Sequence, residues 1–448
     1  MNRDQRIEYL TKLKTEKEPK GSKELWYKNK TRTLSVYEID LQYLIYNAYN
    51  GRIASFVKSY EKQTGKRLSA ENCDDIKVIE DFLLKSNIPS NKETKISLKE
   101  KGQLEYGIVT RDGVIIDGNR RAMIIKELAK ESALQPCYFL AVILEETLNQ
   151  DPKEIMRLET QYQMGEDAKV DYNAIEKYLK CKDLRFVYDF QPVEIAKMMG
   201  EKEAKIKEYL SIMELMDDYL SNLGYSGIYT RLEKTEGAFV DLNSYLNRYK
   251  DKDSAMVTWS AKATDVSDLK LIFYDYIQFM YNKRKKKAVE EEGILGSEDS
   301  KDYRLIGKPS KKESIFCTSK NIWSTFRNNH FKRVDAIRKE FTSGKYSIET
   351  LRKESPNLDL DKLFKQRDEA WSEKVSPILK ENLGKARYDL QNFNNQNQPE
   401  ILLERALSTL KSIDTKARSF IENKEVENLV SEINKLTWDF KQLIKQNR

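Results

Sequence analysis

Apolar positions divide the chain into an N-terminal part with short β-branched runs and a long C-terminal part with helical spacing. Runs such as Ile108-Val109 and Val114-Ile115-Ile116 are separated by Arg111-Asp112-Gly113, as expected for two short strands joined by a turn. From about residue 151 onward, apolar residues recur every three or four positions, which predicts amphipathic helices and no strands. We therefore expect strands and helices in the N-terminal part and a predominantly helical remainder.

The segment from Gly107 to Lys130 predicts a hairpin, a sharp turn and a helix in succession. Asp112-Gly113 favours a hairpin because the turn needs positive φ. Asp117-Gly118 then permits a change of direction, and 121–130 has helical spacing, with Ala122, Ile125 and Leu128 or Ala129 on its buried side. The backbone N–H groups of 118–121 would point out of a helix N-terminus, where Arg120 and Arg121 could grip a phosphate. The alternative is an ordinary strand-to-helix turn whose arginines pair with surface carboxylates.

A second local pattern, at residues 192–210, predicts a helix-turn-helix. Such a unit needs a small residue where its helices touch, a glycine at the turn and apolar residues facing a third helix. Ala196 and Gly200 occupy the first two positions. The apolar set is Ile195, Met199, Ile206 and Tyr209. The alternative is a small helical subdomain that only packs against its neighbours.

The C-terminal hundred residues carry two seams of apolar residues with alternating spacings of three and four. The first seam consists of Leu403, Ala406, Leu410, Ile413, Ala417 and Phe420, and the second of Val426, Leu429, Ile433, Leu436, Phe440 and Leu443. This spacing is typical of a coiled coil, and 422–424 offers a break between the seams. We expect an antiparallel helical hairpin, either folded within its own chain or paired with a second protomer.

Composition narrows the classes of function without selecting one. The 448 residues have a net charge of +7, which permits a nucleic-acid partner and does not require one. Four scattered cysteines and a single histidine argue against a zinc site and a disulfide framework. The charged N-terminus lacks the apolar core of a signal peptide, and no run has the length of a membrane span. We expect a cytoplasmic protein, most simply bacterial, with no membrane partner.

Breaks in composition suggest six segments. Residues 1–32 hold many lysines and arginines and few apolar residues, which indicates a basic N-terminal arm or a short helix. Residues 282–313 combine a run of lysines, a run of glutamates and scattered glycine, serine and proline, as in a charged linker. The expected segments are the arm at 1–32, a nucleotide-binding domain at 33–150, a helix-turn-helix domain at 151–225, a helical region at 226–281, the linker at 282–313 and a C-terminal helical domain at 314–448.

Four stretches in order resemble motifs of the ParB family across roughly residues 33–225. Gly118-Asn119-Arg120-Arg121-Ala122 is similar to the family's Gly-Glu-Arg-Arg turn, and 94–104 is similar to the segment preceding its hairpin. Residues 47–52 resemble its first box without the proline, and 158–163 followed by 170–178 resemble its Glu-Asn-x-x-Arg box and the helix behind it. The resemblance implies a ParB/sulfiredoxin-like α+β domain, with a small mixed sheet and helices, followed by a helix-turn-helix.

The resemblance also implies a ligand. In that family the first box and the double-arginine turn contact the triphosphate of a nucleotide, usually CTP, and the Glu-Asn-x-x-Arg box supports magnesium and hydrolysis. Carried over, the nucleotide-binding candidates are Arg52, Gly118, Asn119, Arg120, Arg121 and Thr160. Glu159 becomes the candidate for catalysis and for binding Mg²⁺, with CTP or ATP as the nucleotide. Asn119, Thr160 and Gln163 depart from the family's glutamate, asparagine and arginine, which places hydrolysis in doubt.

The helix-turn-helix lies where the ParB family places its own. Lys202, Lys205 and Lys207 are the DNA-binding candidates of its second helix, although glutamates are interspersed among them. Carboxylates that face phosphates reduce affinity for DNA. The same fold occurs in sulfiredoxin, whose chemistry needs a cysteine at the arginine turn. Since no cysteine stands there, a thiol mechanism at this site is excluded.

The leading hypothesis is a ParB-like, DNA-associated protein in which a bound nucleoside triphosphate regulates how protomers engage each other or DNA. This hypothesis is compatible with a role in partition, in regulation or in mobile-element defence. We also expect a homodimer. One alternative is an enzyme on the same fold, either an NTPase, a nuclease or a phosphotransferase that uses Glu159 as base. Another is a helical scaffold that has lost nucleotide function, as Thr160 and Gln163 would allow.

Overall fold

The structure is a computed structural model that divides into two compact units, Met1–Leu383 and Gly384–Arg448. It describes residues 1–132, 137–165, 172–250, 257–290, 303–356, 358, 360–395 and 399–446. The strands are β1 (Gly21–Tyr27), β2 (Lys30–Asp40), β3 (Ile45–Tyr46), β4 (Gly107–Val109), β5 (Val114–Asp117) and β6 (Tyr138–Ile143). All of them lie in the N-terminal part, and the rest of the described chain is mostly helical.

The helices of the first unit fall into two groups. Those packed around the sheet are α1 (Arg3–Glu16), α2 (Ala54–Thr64), α3 (Cys73–Ser86), α4 (Ile88–Lys101), α5 (Asn119–Ser132) and α6 (Pro152–Met164). Those that follow are α7 (Ala174–Phe186), α8 (Pro192–Met199), α9 (Glu203–Asn222), α10 (Glu236–Tyr249), α11 (Ala263–Glu290), α12 (Arg304–Gly307), α13 (Ile315–Thr318), α14 (Lys320–Thr342), α15 (Ile348–Glu354) and α16 (Leu360–Asn395). No helix among the described residues has the length and apolar character needed to span a bilayer.

The six strands form one mixed sheet in the order β1-β2-β6-β4-β5-β3. Two antiparallel hairpins, β1–β2 and β4–β5, are joined through β6, which is antiparallel to β2 and parallel to β4. The short strand β3 adds to the edge in parallel with β5. An α+β domain with a mixed sheet followed by a helical remainder is the observed architecture.

Alternating side chains of the strands enter two separate cores, one on each face of the sheet. On β5, Ile115 packs with the helices on one face, whereas Val114 and Ile116 pack on the other. The first core includes residues of α1, α2, α3 and α5, and the second includes Ile155 and Leu158 of α6. The two-residue period of a strand therefore accounts for the burial of every apolar residue in the run 114–116.

The predicted hairpin and helix at 107–130 are confirmed. The turn at Gly113 has φ +81°, and a Cβ atom there would lie 2.5 Å from the carbonyl oxygen of Tyr43. Gly118 has φ +101°, and α5 begins at the next residue. Ala122 and Ala129 are buried, and Ile125 and Leu128 pack partly buried against the same core. Both glycines are therefore required by backbone geometry.

Residues 1–32, predicted to be a basic arm or a short helix, contain a helix followed by a β-hairpin. Residues 3–16 form α1, whose Leu10 and Leu13 are buried, and 21–32 belong to the hairpin of β1 and β2. Arg6 is 1% exposed and donates from Nε to the Asp112 carbonyl oxygen at 2.8 Å. The helix interpretation is the one that the structure shows, and Arg6 links this helix to the β4–β5 turn.

The expected linker at 282–313 is also only partly right. Helix α11 continues to Glu290, and Tyr303 and Ile306 at α12 are buried. Residues 291–302 of the predicted linker lie outside the described residues. The change from apolar to charged sequence at 282 therefore marks no end of a helix, since a helix can continue with a solvated face.

The C-terminal unit contains the end of α16, together with α17 (Pro399–Lys411), α18 (Arg418–Ile421) and α19 (Lys424–Gln446). The unit begins at 384, later than the domain expected from residue 314. The first predicted seam is interrupted, because α17 ends at Lys411 and α18 starts after Ala417. Leu403 of α17 and Phe440 and Ile444 of α19 line one small cavity, so these two helices lie side by side.

Candidate functional site

A cavity of about 300 Å³ lies where four helices of the first unit begin. Its walls come from the loop before α2, the junction of α3 and α4, the first turn of α5 and the first turn of α7. The lining residues are Arg52, Ser86, Asn87, Arg120, Tyr172, Asn173 and Glu176. Helix N-termini present unpaired N–H groups and a partial positive charge, so this convergence favours an anion.

Gly118 and the first turn of α5 form one wall. The Gly118 carbonyl oxygen accepts the N–H of Ala122 at 2.8 Å, which makes Gly118 the residue preceding the helix. The N–H groups of residues 119–121 therefore have no acceptor within the helix. A Cβ atom at Gly118 would lie 2.7 Å from the ring of Phe139, so a larger residue would push this turn away from the sheet.

Arg120 lines the cavity, and no carboxylate of the described residues forms an ion pair with it. Its Nη2 donates to Ser90 Oγ at 2.7 Å. Burial, together with the neighbouring guanidinium groups of Arg52 and Arg121, lowers the pKa of Arg120 to about 10. Three cations thus lie close enough to repel one another, and Arg120 keeps its charge at neutral pH. Arg121 donates from Nη1 to the Glu105 carbonyl oxygen at 2.7 Å.

The loop before α2 is shaped by two asparagines so that it presents Arg52. Asn47 Oδ1 accepts the N–H of Tyr49 at 3.1 Å, and Asn50 Oδ1 accepts the N–H of Arg52 at 3.0 Å. Such side-chain turns bend the backbone locally without a partner strand. Asn119 braces the same loop, since its Oδ1 accepts the N–H of Asn47 at 2.9 Å. Asn119 is 3% exposed, so the structure places this candidate behind the cavity and not in it.

Arg52 stacks on the ring of Tyr172, with its Cζ 4.9 Å from the ring centroid. The Tyr172 hydroxyl donates to Gln163 Oε1 at 3.0 Å, and Gln163 Nε2 donates to the Ile116 carbonyl oxygen at 3.1 Å. Burial raises the pKa of Tyr172 well above its ordinary value, so the hydroxyl stays protonated. Gln163, which departs from the family's arginine, therefore holds the tyrosine that positions Arg52.

Glu159 is fully buried below this loop and is already occupied by two partners. Its Oε1 accepts the N–H of Gly51 at 3.0 Å, and its Oε2 lies 3.2 Å from Lys180 Nζ. The Thr160 hydroxyl donates to the Met156 carbonyl oxygen at 2.7 Å, within its own helix. This donor set does not fit a magnesium ion, which needs several oxygen ligands and waters. No group of three potential metal ligands occurs elsewhere in the described part of the chain.

Among the described residues of the cavity wall, Glu176 is the one that carries a carboxylate. It accepts hydrogen bonds from the Ser55 N–H and the Ser55 hydroxyl, so it caps the N-terminus of α2 from the neighbouring helix. Burial raises the pKa of Glu176 to about 7, against the opposing effect of the Ser55 hydrogen bonds. At neutral pH this carboxyl is therefore close to half protonated, and its charge is the variable element of the site.

The sequence alone did not reveal the contribution of residues 53–92, which separate the first two family-like stretches. This segment contains α2, α3 and the start of α4. Asn87 caps the N-terminus of α4, since its side chain accepts the N–H of Ser90 at 3.0 Å, and the Ser90 hydroxyl accepts a hydrogen bond from Arg120. Asparagine followed by proline two residues later is a helix-start signal that could have located this turn. Asn173, which caps α7, carries the same kind of signal, with Glu176 three residues later.

The predicted helix-turn-helix is formed by α8 and α9, with Gly200 at φ 64° between them. Ile195, Ala196, Met199, Ile206 and Tyr209 are all buried, as expected. Lys202 is exposed at the start of α9. Lys205 pairs with Glu208 at 3.0 Å and Lys207 with Glu203 at 2.7 Å, both on the surface of the same helix. Exposed pairs of this kind are weak and leave the lysines available to another partner.

No protein-family model and no curated protein matches the chain. Among solved structures, it is similar to the C-terminally truncated chromosome-partitioning protein ParB from Caulobacter crescentus, in complex with CTP-gamma-S. The sequence identity is 17%, the match covers 35% of this chain and 79% of that chain, and the TM-score is 0.14. Similarity at this level carries no conclusion about fold or function.

Proposed function

We propose that this chain binds a nucleoside triphosphate at the cavity defined above and that the bound anion changes how the chain engages DNA or a second protomer. The observation that carries the proposal is the group of Arg52, Arg120 and Arg121 beside the first turn of α5. None of the three has a carboxylate partner among the described residues. Bringing cations together costs free energy, which a polyphosphate would offset through charge-assisted hydrogen bonds.

Helix α7 offers a physical route from the cavity to the helix-turn-helix. Its first turn supplies Glu176 to the cavity wall. Two residues after Glu176, the ring of Tyr178 lies 5.0 Å from the ring of Tyr209 on α9. Lys182 then donates to Asp217 of α9 at 2.6 Å. A ligand that shifts the start of α7 would therefore displace the second helix of the helix-turn-helix.

Hydrolysis forms no part of this proposal. Glu159 is held by Gly51 and Lys180, and Thr160 by the backbone of its own helix, so neither side chain is directed at the cavity. Both residues serve the site indirectly, by fixing α6 and the loop that carries Arg52. The proposed activity is therefore binding with a conformational consequence.

Calorimetry with CTP, ATP, GTP and UTP in the presence of Mg²⁺ tests the binding. We expect micromolar affinity for at least one nucleotide and a loss of about 100-fold or more in an Arg52→Ala, Arg120→Ala double variant, since two charge-assisted contacts are removed. Arg111→Ala is the matched control, because Arg111 is an exposed arginine of the adjacent hairpin. Absence of binding by all four nucleotides, or equal losses in the control, would refute the proposal.

Fluorescence anisotropy with a labelled DNA duplex tests whether the bound nucleotide changes how the chain engages DNA. We expect DNA affinity to change when the nucleotide is added, and to fall when Lys202, Lys205 and Lys207 are replaced by alanine. The slope of log affinity against log salt should then decrease by up to about 3, as expected for three lost phosphate contacts. Replacement of Lys77, Lys85 and Lys101, three exposed lysines, removes the same total charge and should leave the slope unchanged.

A further inference from the structure

A succession of hydrogen bonds leads from the cavity into the helical remainder through α2. It begins at Glu176 of the cavity wall, which accepts the N–H of Ser55 at 3.1 Å and also the Ser55 hydroxyl. The Ser59 hydroxyl, one turn further along α2, donates to the Ser55 carbonyl oxygen at 2.5 Å. The N–H of Thr230 then donates to Ser59 Oγ at 3.1 Å. Ser59 is 2% exposed, so water has little access to these bonds.

The residue after Thr230 extends this path through a buried ion pair. Arg231 lies in the 3₁₀ turn Tyr229–Leu232, and its Nη2 donates to both carboxylate oxygens of Asp368 at 2.5 Å. Asp368 lies on α16 and also accepts the Tyr225 hydroxyl at 3.1 Å. Both charged residues are buried. Separating them would leave a buried charge unpaired at a high cost in free energy, so α16 should follow any displacement of Arg231.

The hydrogen-bond donors on α2 and on the 3₁₀ turn are all directed towards Glu176. Thr230 donates to Ser59, Ser59 donates to Ser55, and Ser55 donates to Glu176 through its N–H and its hydroxyl. Hydrogen bonds aligned in one direction polarise one another, and a charged acceptor at the end of the series strengthens them. An ionised Glu176 therefore tightens the whole series, and a neutral Glu176 loosens it.

An anion in the cavity and an ionised Glu176 oppose each other. Like charges within one cavity disfavour each other's ionised form, so a bound anion favours the neutral carboxyl group. Arg52 and Arg120 attract the anion to the same wall. The charged neighbours of Glu176 on α2 and α7 include Lys58 and Asp183, which pair with each other at 2.9 Å and so largely cancel. Binding in the cavity therefore changes the charge at the end of the hydrogen-bonded series.

We propose that this series, here named the α2 line, couples the cavity to α16, so that an anion bound in the cavity loosens the 3₁₀ turn Tyr229–Leu232 from α2. The α2 line consists of Glu176, Ser55, Ser59, Thr230, Arg231 and Asp368. The inference rests on the proposed function, because it takes the cavity as the site of an anion, and it adds α16 to the elements that the ligand affects. By reciprocity, a partner that displaces α16 changes the affinity of the cavity for the anion by the same factor.

Other contacts hold the far end of α2 against the helical remainder without responding to charge in the cavity. Arg352 of α15 donates from Nη2 to the Gln63 carbonyl oxygen at 2.7 Å. Gly227 has φ +78°, and a Cβ atom there would lie 3.3 Å from Cγ of Lys62. These contacts involve a carbonyl group and a methylene group, neither of which changes charge when a ligand binds. They keep α2 in place while the α2 line tightens or loosens.

Hydrogen–deuterium exchange of the full chain, followed at residue 230 through overlapping peptides, tests the α2 line without any nucleotide. Glu176→Gln removes the charge and keeps an oxygen that can accept the Ser55 N–H. We expect the Thr230 N–H to exchange about fivefold faster in this variant, at the low end of common coupling free energies. In a Ser59→Ala background, Glu176→Gln should have no further effect at residue 230. Equal effects of Glu176→Gln with and without Ser59 would overturn the proposal.

Thr64→Val is the matched control for Ser59→Ala. Thr64 is exposed on α2, and its hydroxyl donates to the Tyr60 carbonyl oxygen at 2.8 Å, which is the same kind of bond within the helix. In the Thr64→Val background, Glu176→Gln should accelerate exchange at residue 230 as it does in the wild type. Circular dichroism checks that the helices persist in each variant. Loss of the effect in the control would indicate general loosening of α2 and would also overturn the proposal.

A second experiment adds whichever of CTP, ATP, GTP and UTP binds most tightly, at saturation and with Mg²⁺. The nucleotide should accelerate exchange at residue 230 and around Asp368 by about fivefold. Ser59→Ala should bind the nucleotide about fivefold more tightly, because the α2 line then no longer favours ionised Glu176. Structural damage alone would weaken binding instead, and weaker binding by Ser59→Ala would count against the proposal.

The two experiments distinguish a failure of the α2 line from a failure of the nucleotide site. Nucleotide binding with unchanged exchange at residue 230 would overturn the α2 line and leave the nucleotide site intact. If no nucleotide binds but Glu176→Gln acts through Ser59 as expected, the nucleotide site is refuted, and the coupling between the cavity carboxylate and the 3₁₀ turn is supported.

Discussion

The cavity region and the C-terminal unit leave opposite kinds of surface without a partner. Around the cavity, apolar side chains such as Ile115 are buried, while the guanidinium groups of Arg52 and Arg120 have no carboxylate among the described residues. In the C-terminal unit, charges of both signs are interspersed, while the apolar stripe of α19 is exposed. At the cavity, the unmatched positive charge favours an anion as the partner.

Helices α9 and α19 have similar apolar patterns in sequence but differ in burial. Both α9 and α19 have apolar residues at helical spacing. Ile206, Ile212 and Met216 of α9 are buried against neighbouring helices, whereas no side chain of α19 is buried. Apolar periodicity therefore predicts that a face will be covered, and it does not tell whether the cover comes from the same chain.

The largest effect is expected from breaking the paired charges beneath the cavity. Lys180→Met leaves the fully buried Glu159 without its ion-pair partner, and the free energy of unfolding should fall by about 3–5 kcal/mol. Adding Glu159→Gln should recover most of this loss, because glutamine still accepts the Gly51 N–H and carries no charge. Urea denaturation of the full chain measures both values.

Lys12→Met provides the control for this substitution. Lys12 pairs with Glu8 on the exposed surface of α1, where water and salt screen the pair, so its loss should change the free energy of unfolding far less than Lys180→Met does. Equal losses for Lys12→Met and Lys180→Met would show that burial of the Glu159–Lys180 pair has no special role. The contrast between the paired charges beneath the cavity and the unpaired arginines of its wall would then have no consequence for stability.

Salt should separate the two regions, with a smaller effect than the buried pair. Raising the NaCl concentration from about 50 to 500 mM should weaken nucleotide binding by about tenfold or more, since the contacts are ionic and partly exposed. The helical content should persist over the same range, because the helices are held mainly by apolar contacts and salt does not screen apolar contacts. Calorimetry and circular dichroism on one preparation measure the two quantities. Loss of helical content over this range would show that ionic contacts, and not apolar burial, hold the helices.

The smallest effect concerns pH. The pKa of Glu176 is raised to about 7 by burial, so the folded state holds this proton more tightly than the unfolded state. Its stabilising contribution is complete below about pH 4 and is lost as pH rises through 7. Ionised Glu176 also repels an anion, so nucleotide affinity should increase by up to about tenfold from pH 8 to pH 6.

Glu176→Gln separates this effect from the ionisation of the nucleotide itself. Glutamine keeps a side-chain oxygen that can accept the Ser55 N–H and has no charge to lose. Calorimetry at pH 6, 7 and 8 should show a weaker pH dependence in this variant than in the wild type. The same pH profile in both proteins would mean that Glu176 does not influence the ligand.

Local features of the fold followed from the sequence because short-range geometry determines them. Gly113 and Gly118 occupy backbone conformations with positive φ, and Gly200 does the same between α8 and α9. The apolar residues of the helix-turn-helix were also predicted correctly, since their spacing alone identifies the buried face. For residues 1–32 the sequence left an arm and a short helix open, because lysines and arginines outnumber the few apolar residues that bury α1.

Only some of the residues that line the cavity could be predicted from the sequence. Arg52 and Arg120 were identified from their motifs, and the structure places both in the cavity. Glu176 reaches it from α7, Tyr172 and Asn173 from the residues just before that helix, and Asn87 from the segment between the first two motifs. These residues lie far apart in sequence and are brought together by packing of helices on the sheet, which no local pattern encodes.

The sequence by itself determined the strand-turn-helix at Gly118, the helix-turn-helix and the amphipathic character of α19, because each depends on spacing within about twenty residues. Only the tertiary structure decided that Glu159 faces Lys180, that Asn119 braces a loop and that Glu176 caps α2. The tertiary structure also decided which amphipathic helices bury their apolar face and which leave it exposed. The physical reason is that burial and charge pairing depend on distances between segments, and those distances are fixed only once the sheet and its helices have packed.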